Sequence, residues 1–418
     1  MLKQKKLKKI EKLGKIESNM VKISPLKPFL PQNPKEFCTN PYDVIEKQEE
    51  LGLKKNPNSL IHLILPDGMG DEVYQNARKA FEQLKANKVI VQEEKPSIYL
   101  YRQESPSFNQ EGLIMGSSLE DYDNGTGIIK HEHTRVKPLT DRTKHIATTH
   151  AATGLVWNVF RTNDKINSVM ERIKKQEPIF DFEKYGYRQI LWRESDQKVI
   201  QELKDLFGGL KLYIADGHHR AASANEYRKM KLKEVNEPTG EEPWQYLLNY
   251  VSADNQIRVM AYNRVIRKLP MSEEDFLNKL KEVYDITSMS EAFNPKEKHE
   301  VALCCKGKWY KLLVKNKEFG SIRDSLDVAI LQDKVLDPIL GIKDPRTHKN
   351  IFFVGGLDDP KEMEKYVTEK GNDLFFNLYA VDIRELETIG ESGGVMPPKS
   401  TWFDPKVLSG LVILDLDS

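Results

Sequence analysis

Apolar and polar residues follow one another along the chain in short blocks that predict both strands and helices. Apolar or alternating runs predict strands at residues 60–65, 96–102, 112–116, 189–192 and 212–215, and a hairpin over 301–313. Apolar residues at helical spacing predict helices at 77–84, 166–173, 199–207, 273–283 and 326–341. The pattern therefore predicts an α+β fold with mixed sheets and packed helices, and it shows no internal repeat.

The same pattern divides the chain into four regions whose borders are not marked by any low-complexity linker. We predict a basic tail at residues 1–22, a β-rich region at 23–128, a central region at 129–267 and an α+β region at 268–418. The first 16 residues hold seven Lys and one Glu. Such a segment could form a targeting or membrane-surface helix, but we favour a solvated tail.

Composition narrows the class of protein. Hydrophobic residues make up 39% and charged residues 30% of the 418, which is typical of a globular protein. The formal net charge of +1 gives no field that would attract nucleic acid, and no apolar run is long enough to span a membrane. Three Cys without metal-ligand spacing indicate a reducing compartment. We expect a cytoplasmic protein, monomeric or a small homo-oligomer, without nucleic-acid or membrane partners.

Residues 216–220, Asp-Gly-His-His-Arg, carry the clearest chemistry. They follow the predicted strand at 212–215 and precede a run of helix formers, so we expect them at the start of a helix. Backbone N–H groups and the helix dipole favour an anion there, and Arg220 can donate two hydrogen bonds to phosphate oxygens. The residues predicted to bind phosphate are Gly217, His218, His219 and Arg220.

Asp216 lies one residue before this turn, where a bound anion would repel its carboxylate. A cation between the two would remove the repulsion, so Asp216 is a candidate ligand of Mg²⁺, the one cofactor that we expect. The simpler alternative is a structural turn in which Asp216 caps the helix and Arg220 pairs with a surface carboxylate. Because that alternative leaves two histidines without a role, we favour the phosphate site.

A second polar segment, His-Glu-His-Thr at 131–134, follows an apparent hairpin turn at 124–127. On a strand, His131 and His133 would point to one face and could hold a metal ion. Alternatively, Glu132 is a general base flanked by phosphate-binding groups, or the segment is an exposed strand end. No glycine-rich nucleotide motif of the Rossmann or Walker type is present.

A third segment, residues 393–403, combines glycines, prolines and the sequence Lys-Ser-Thr at 399–401. Glycines let the backbone approach an anion and Lys399 supplies positive charge, so Lys399, Ser400 and Thr401 are candidate phosphate contacts. A proline-stiffened surface loop is the alternative.

Together, the Ala-Asp-Gly-His-His-Arg run, the upstream His-Glu-x-Thr and the terminal Met-Pro-Pro-Lys-Ser-Thr resemble a widespread family of unknown function that includes the free serine kinases. The sequences at 40–45 and 113–122 also resemble that family, so the resemblance spans about residues 23–414. It implies a ParB-like catalytic core at 129–267 with additional N- and C-terminal regions. It also implies phosphorylation of free L-serine to O-phospho-L-serine, a precursor of cysteine.

The resemblance further implies a role for individual residues. Glu132 corresponds to the glutamate proposed to activate the serine hydroxyl, and Asp216, Gly217, His218 and Arg220 correspond to the motif that binds donor phosphates. Asp216 and His218 are thereby catalytic candidates, while His131 and Thr134 are candidates for contact with serine. Trp244 or Tyr250 could supply an aromatic contact to serine.

Relatives differ in donor, and chains of this length resemble the pyrophosphate users. Pyrophosphate is small and highly charged, so dense cations without a base pocket suit it; we favour it over ATP or ADP. Two other classes stay open. A metal-dependent hydrolase would use His131, His133, Asp216 and His218 as ligands, and a ParB-like regulator would bind nucleotide and nucleic acid, but no helix-turn-helix or basic face is visible.

Overall fold

The structure, a computed structural model, describes residues 21–417, so nearly all of the predicted basic tail lies outside the described residues. The described chain divides into two compact units. The first unit contains residues 21–257 and 405–417, and the second unit contains residues 258–404. Both combine sheets with helices, so the predicted α+β class is confirmed, whereas the ParB-like assignment stays a prediction.

A nine-stranded mixed sheet forms the centre of the first unit. The strands of this unit are β1 (Ile23–Ser24), β2 (Phe29–Pro31), β3 (Ile90–Gln92), β4 (Ile98–Glu104), β5 (Asn109–Ser118), β6 (Ile128–Ile129), β7 (Ala151–Ala152), β8 (Val156–Phe160), β9 (Phe180–Lys184), β10 (Tyr187–Glu194), β11 (Leu212–Asp216), β12 (Tyr246–Ala253) and β20 (Leu414–Asp415). The large sheet has the order β6-β11-β8-β12-β5-β4-β10-β9, and β1 pairs with β5. All eight residues of β12 are buried, as expected for a strand in the middle of a sheet.

The first unit contains nine α-helices among the described residues, and several of them bury an apolar stripe. They are α1 (Pro34–Phe37), α2 (Lys47–Leu53), α3 (Ile61–Ile64), α4 (Glu72–Ala86), α5 (Leu119–Asn124), α6 (Val136–Thr149), α7 (Asp164–Ile173), α8 (Gln197–Phe207) and α9 (His218–Glu234). In α7 the predicted stripe from Ile166 to Ile173 is buried, and Asn163 caps the helix by accepting hydrogen bonds from the N–H groups of Lys165 and Ile166.

The second unit is built on a seven-stranded antiparallel sheet. Its strands are β13 (Arg258–Ile266), β14 (Tyr284–Met289), β15 (Glu300–Cys305), β16 (Lys308–Val314), β17 (Ile351–Gly355), β18 (Leu374–Leu378) and β19 (Thr401–Asp404), and its helices are α10 (Glu273–Leu280), α11 (Asp327–Leu331), α12 (Pro360–Thr368) and α13 (Ile383–Glu391). The predicted hairpin at 301–313 is confirmed as β15 and β16. Between residues 21 and 417, none of the helices has the length and apolar character needed to cross a membrane.

The compact units do not follow the predicted region boundaries. Strand β5, from the predicted β-rich region, pairs along its length with β12 from the predicted central region, so both regions share one sheet. The last residues also return to the first unit, where β20 pairs with β7 and Phe29 exchanges backbone hydrogen bonds with Ile413. Such non-local pairing leaves no mark in the local hydrophobic pattern.

Two local predictions were wrong. The apolar run at 60–65, predicted as a strand, contains the short helix α3, with Ile61, Leu63 and Ile64 buried. A continuous apolar run of that length does not distinguish a strand from a buried helical turn. The apparent hairpin at 124–127 is the end of α5, where Gly125 has the left-handed conformation of a helix C-cap.

Candidate functional site

The site begins at the turn between β11 and α9. Gly217 has a φ of 97° and is the N-cap residue of α9, a conformation that disfavours any residue with a Cβ. A Cβ at this position would lie 3.1 Å from the guanidinium carbon of Arg220, so glycine also provides the space for that side chain. Because the N-cap residue is glycine, it offers no side chain to cap the helix.

Asp216 accepts a hydrogen bond from one side of Arg220 and faces a second cation. The Arg220 Nη2 lies 2.7 Å from Asp216 Oδ2, and the Lys406 Nζ lies 3.6 Å from Asp216 Oδ1. The side chains of Arg220 and Lys406 are only 12% and 11% exposed. We call these three residues the Asp216 cluster. The pairing of Arg220 with a carboxylate is thus present, but inside the unit and not on its surface.

The Arg220 guanidinium is held in a fixed orientation. Its Nη1 donates to the backbone carbonyl of Leu155, while its Nε is buried and makes no hydrogen bond to any residue in the range 21–417. A buried N–H without an acceptor is costly, and an incoming oxyanion would satisfy it. The Asp216 cluster therefore combines two fixed cations with one unused donor.

Glu132 and His218 come together although they belong to different elements. The Glu132 Oε2 lies 3.6 Å from His218 Nδ1, and the Glu132 side chain is 39% exposed, so it remains accessible to a substrate. The Nε2 of His218 is buried without a hydrogen-bond partner among the described residues. The segment at 131–134 lies in the connection between β6 and α6, which brings its carboxylate to the first turn of α9.

Burial determines the charge of the two buried histidines. Desolvation lowers the pKa of His218 to about 4, partly opposed by the nearby Asp216 carboxylate. The His131 ring packs edge-on against His218 with 4.4 Å between centroids, and desolvation lowers its pKa well below its usual value. Both rings are therefore neutral near pH 7, and the positive charge of the site comes from Arg220 and Lys406.

The remaining residues of the two motifs link the loop to the helix. His219 Nε2 accepts a hydrogen bond of 3.0 Å from the backbone N–H of Arg135, while Thr134 is half-buried in the same loop. The expectation that His131 and His133 point to one face of a strand was wrong, because this segment is not a strand: His131 is buried and His133 is exposed.

The structure assigns Lys399, Ser400 and Thr401 to the second unit, whereas the Asp216 cluster belongs to the first. Lys399 has a φ of 58° and is exposed, and the hydroxyl of Ser400 is buried and donates to the carbonyl of Pro397. Their contact with phosphate stays a prediction.

An apolar cavity of about 60 Å³ lies beside Arg220 in the first unit. Tyr42, Arg142 and Trp244 line it together with Arg220. The Arg142 guanidinium lies over the ring of Tyr42 at 4.4 Å, and burial raises the pKa of the Tyr42 hydroxyl. Trp244 thus lines the same cavity as Arg220.

Tyr250, the other aromatic candidate, lies inside the large sheet. It is fully buried, and its ring packs edge-on against Tyr101 and Trp157. Its position is that of a core residue, which leaves Trp244 as the better candidate for contact with a substrate.

Asp216 alone fits a magnesium ion poorly. Mg²⁺ favours oxygen ligands and is usually held by one or two carboxylates with phosphate oxygens and water. Here the carboxylate faces two cations within 4 Å, and within residues 21–417 no group of three or more His, Cys, Asp or Glu is arranged to hold a metal ion. The part of the chain that the structure describes therefore offers no preformed magnesium site.

Sequence reasoning missed three residues around Arg220. Lys406 follows the predicted loop at 393–403 but belongs to the returning segment of the first unit, and only long-range folding brings it to Asp216. Tyr42 lies in the Asn-Pro-Tyr sequence at 40–42, and Arg142 follows Asp141 on α6. The Asn-Pro-Tyr sequence could have pointed to Tyr42, whereas no feature of the sequence marks Lys406.

The sequence is similar to a known protein family. Residues 23–329 match the model of the family described as "Protein of unknown function (DUF1015)", and the chain belongs to this family. No curated protein matches the sequence.

Several solved structures show similarity to this chain at low sequence identity. A free serine kinase in complex with AMP is 13% identical, with 69% of this chain and 86% of that chain covered and a TM-score of 0.36. SbnI with a C-terminal truncation from Staphylococcus aureus is 11% identical, with 71% and 85% covered and a TM-score of 0.37. A conserved hypothetical protein from Pyrococcus furiosus is 16% identical, with 70% and 92% covered and a TM-score of 0.34.

Proposed function

We propose that this protein is a phosphotransferase that phosphorylates the hydroxyl of free L-serine. The observation that carries the proposal is the meeting of Glu132 with the first turn of α9, beside the Asp216 cluster. An accessible carboxylate, a helix N-terminus and two buried cations are groups that suit transfer of a phosphoryl group to an alcohol.

In the proposed reaction, Glu132 accepts the proton of the serine hydroxyl while the serine oxygen forms a bond to phosphorus. The bond between that phosphorus and the leaving phosphate oxygen breaks, and its electron pair stays on the leaving group. Arg220 and Lys406 stabilise the negative charge that develops, and the neutral His218 contributes a hydrogen bond. A general base of this kind contributes roughly 10²- to 10⁴-fold to the rate.

Pyrophosphate is the donor that we favour, with ATP or ADP as the alternative. The cations of the Asp216 cluster suit a compact polyanion, and the adjoining cavity of about 60 Å³ is far smaller than the roughly 300 Å³ or more that is usual for small-molecule sites. With pyrophosphate, the leaving group is inorganic phosphate. Magnesium would then be bound by the donor's own oxygens.

The two other classes have less support in the described residues. A metal-dependent hydrolase needs a ligand cluster, and residues 21–417 contain no group of three suitable side chains. His133, one of its four expected ligands, is exposed while His131 is buried. For a ParB-like regulator that binds nucleic acid, the net charge of +1 provides no electrostatic attraction.

The experiment is a phosphoserine assay on the purified full chain with L-serine, Mg²⁺ and one donor at a time: pyrophosphate, ADP or ATP. Phosphoserine is measured by ³¹P NMR or mass spectrometry. We expect product with pyrophosphate, and we expect Glu132→Gln to lower kcat by roughly 100-fold or more without weakening donor binding.

Glu177→Gln is the matched control, because Glu177 is an exposed carboxylate of the same unit, distant in sequence from both motifs. Its turnover should equal that of the unmodified chain. Absence of phosphoserine with all three donors would contradict the proposed reaction, and near-normal turnover of Glu132→Gln would contradict the role of Glu132 as base.

A further inference from the structure

Arg264 of the second unit is a buried cation without a carboxylate partner. It lies on β13, its side chain is almost fully buried at 2% exposure, and no Asp or Glu of the described chain forms an ion pair with it. Burial of an uncompensated charge costs several kcal/mol in a folded protein. For this reason desolvation lowers the pKa of the Arg264 guanidinium to about 9.

The hydrogen bonds of Arg264 connect it with the loop that carries Lys399. Its Nη1 donates to the carbonyl of Tyr262 and its Nη2 donates to the carbonyl of Pro398 at 3.3 Å, while its Nε is buried without a partner within residues 21–417. Two neutral carbonyls do not balance a full charge. An anionic acceptor would satisfy the Nε–H of Arg264 and balance its charge.

Lys399, which follows the Pro398 whose carbonyl Arg264 contacts, adds a second positive charge. Although it is not a glycine, it has a φ of 58°, and its Nζ lies 5.0 Å from the centre of the Tyr262 ring. A left-handed conformation at a lysine is unusual and is maintained only when the surrounding structure holds it. The loop thus directs the ammonium group toward the strand that carries Arg264.

Aromatic rings surround these two cations. The Tyr262 ring packs edge-on against Trp402 at 5.3 Å and Phe353 at 5.9 Å, and the Arg264 guanidinium lies 5.3 Å from the centre of Phe353. The indole of Trp402 lies directly on the backbone of Gly355 and Gly356, with no space for a Cβ at either position. The three rings are half-buried, so part of each remains accessible.

We propose that the second unit contains an oxyanion-binding site formed by Arg264 and Lys399, beside the rings of Tyr262, Phe353 and Trp402, and that its ligand is a phosphate group. Inorganic phosphate or the phosphate of a nucleotide could supply that group. The proposal extends the predicted phosphate contact of Lys399 and does not depend on serine phosphorylation.

The test measures anion binding to the full chain by isothermal titration calorimetry, with inorganic phosphate and AMP as probes. All variants carry Arg220→Met, which removes a main cation of the first unit. In that background we expect phosphate to bind. Arg264→Met and Lys399→Met should each weaken that binding by roughly tenfold or more, because a charge-assisted hydrogen bond is lost.

Arg267→Met is the matched control, because Arg267 also lies over an aromatic ring, that of Phe352, but is exposed. It should leave the affinity unchanged. Equal affinities for phosphate and AMP would indicate a site for free phosphate, and a tighter AMP complex would indicate a nucleotide. Either result supports an oxyanion site.

Unfolding by urea separates a binding role of Arg264 from a purely structural one. Without anion, Arg264→Met should be at least as stable as the parent, because an uncompensated buried charge is replaced by an apolar side chain. With excess phosphate, the parent alone should gain stability. If Arg264→Met does not fold, the exposed Lys399→Met variant decides the question.

The proposal is overturned if the Arg220→Met background binds neither probe, or if Arg264→Met and Lys399→Met bind phosphate as well as Arg267→Met does. Failure here is distinct from failure of the proposed serine kinase activity, since Glu132→Gln should abolish turnover and leave this binding unchanged.

Discussion

Removal of the Asp216 carboxylate should show how much the ion pairs of the Asp216 cluster stabilise the first unit. In Asp216→Ala, Arg220 and Lys406 keep their positions but lose their shared counter-ion. The two charge separations are 2.7 Å and 3.6 Å. At an effective dielectric constant of about 20, they correspond to gross attractions of about 6 and about 5 kcal/mol.

Desolvation cancels much of that attraction, and the Asp216 side chain is 27% exposed. Loss of one partner from a buried ion pair usually costs about 3 to 5 kcal/mol, so we expect Asp216→Ala to lower the free energy of unfolding by about 3 kcal/mol. The assay is urea unfolding followed by tryptophan fluorescence. Asp181→Ala is the control, since Asp181 forms an exposed pair with Arg188 at 2.6 Å and its loss should cost at most about 1 kcal/mol.

Pyrophosphate in the same assay separates a ligand site from a structural ion pair. A bound anion replaces the missing carboxylate, so pyrophosphate should stabilise Asp216→Ala more than the unmodified chain. Equal stabilities of the variant and the unmodified chain would refute the electrostatic argument. Equal stabilisation of both chains by pyrophosphate would refute the assignment of the cluster as an anion site.

Two further predictions concern the turn and the buried imidazole. Gly217→Ala should lower the free energy of unfolding by about 1 to 3 kcal/mol and displace Arg220, so that donor affinity falls. Gly186→Ala is the control: Gly186 also has a positive φ, but no atom lies within 4 Å of the new Cβ, so only the backbone cost should appear. If Gly217→Ala bound the donor as tightly as the unmodified chain, the steric role of Gly217 would be contradicted. Because the pKa of His218 is about 4 in the folded state and about 6.5 when unfolded, the unfolded chain binds the extra proton and stability should fall as the pH drops from about 6.5 to about 4. Urea titrations at pH 7.5 and pH 5 should show a smaller loss for His218→Gln than for the unmodified chain, and an equal loss would contradict the low pKa.

Local patterns predicted the elements that depend on local forces. The stripe of α7 and the strand and turn before α9 were confirmed because burial of one helix face and the conformation of Gly217 act over a few residues. Helix α8 is capped by Asp196, whose carboxylate accepts a hydrogen bond from the N–H of Lys198 at 2.8 Å, and the preceding Ser195 is a residue type that also caps helices. Asp and Ser are comparable caps, so their order along the chain cannot be decided from propensity.

The other features of the site depend on tertiary structure and could not be predicted from the local sequence. Lys406 reaches Asp216 only because the last residues return to the first unit, and the buried position of Arg264 depends on the pairing of β13 with its neighbours in the second sheet. The neutral state of His218 follows from burial, which the motif itself does not reveal. A sequence of two histidines and an arginine looks like three cations, but burial keeps His218 neutral near pH 7 in the folded site.

The charges of the side chains around the start of α9 bear on how magnesium would enter the site. Near the proposed donor position the chain supplies two cations, Arg220 and Lys406, and two carboxylates, Asp216 and Glu132. The charges of these four groups cancel, so together they do not balance the several negative charges of pyrophosphate. Backbone N–H groups at the start of α9 offset only about half a charge. We therefore expect a cation such as magnesium to enter with the donor and not to be held by Asp216 alone.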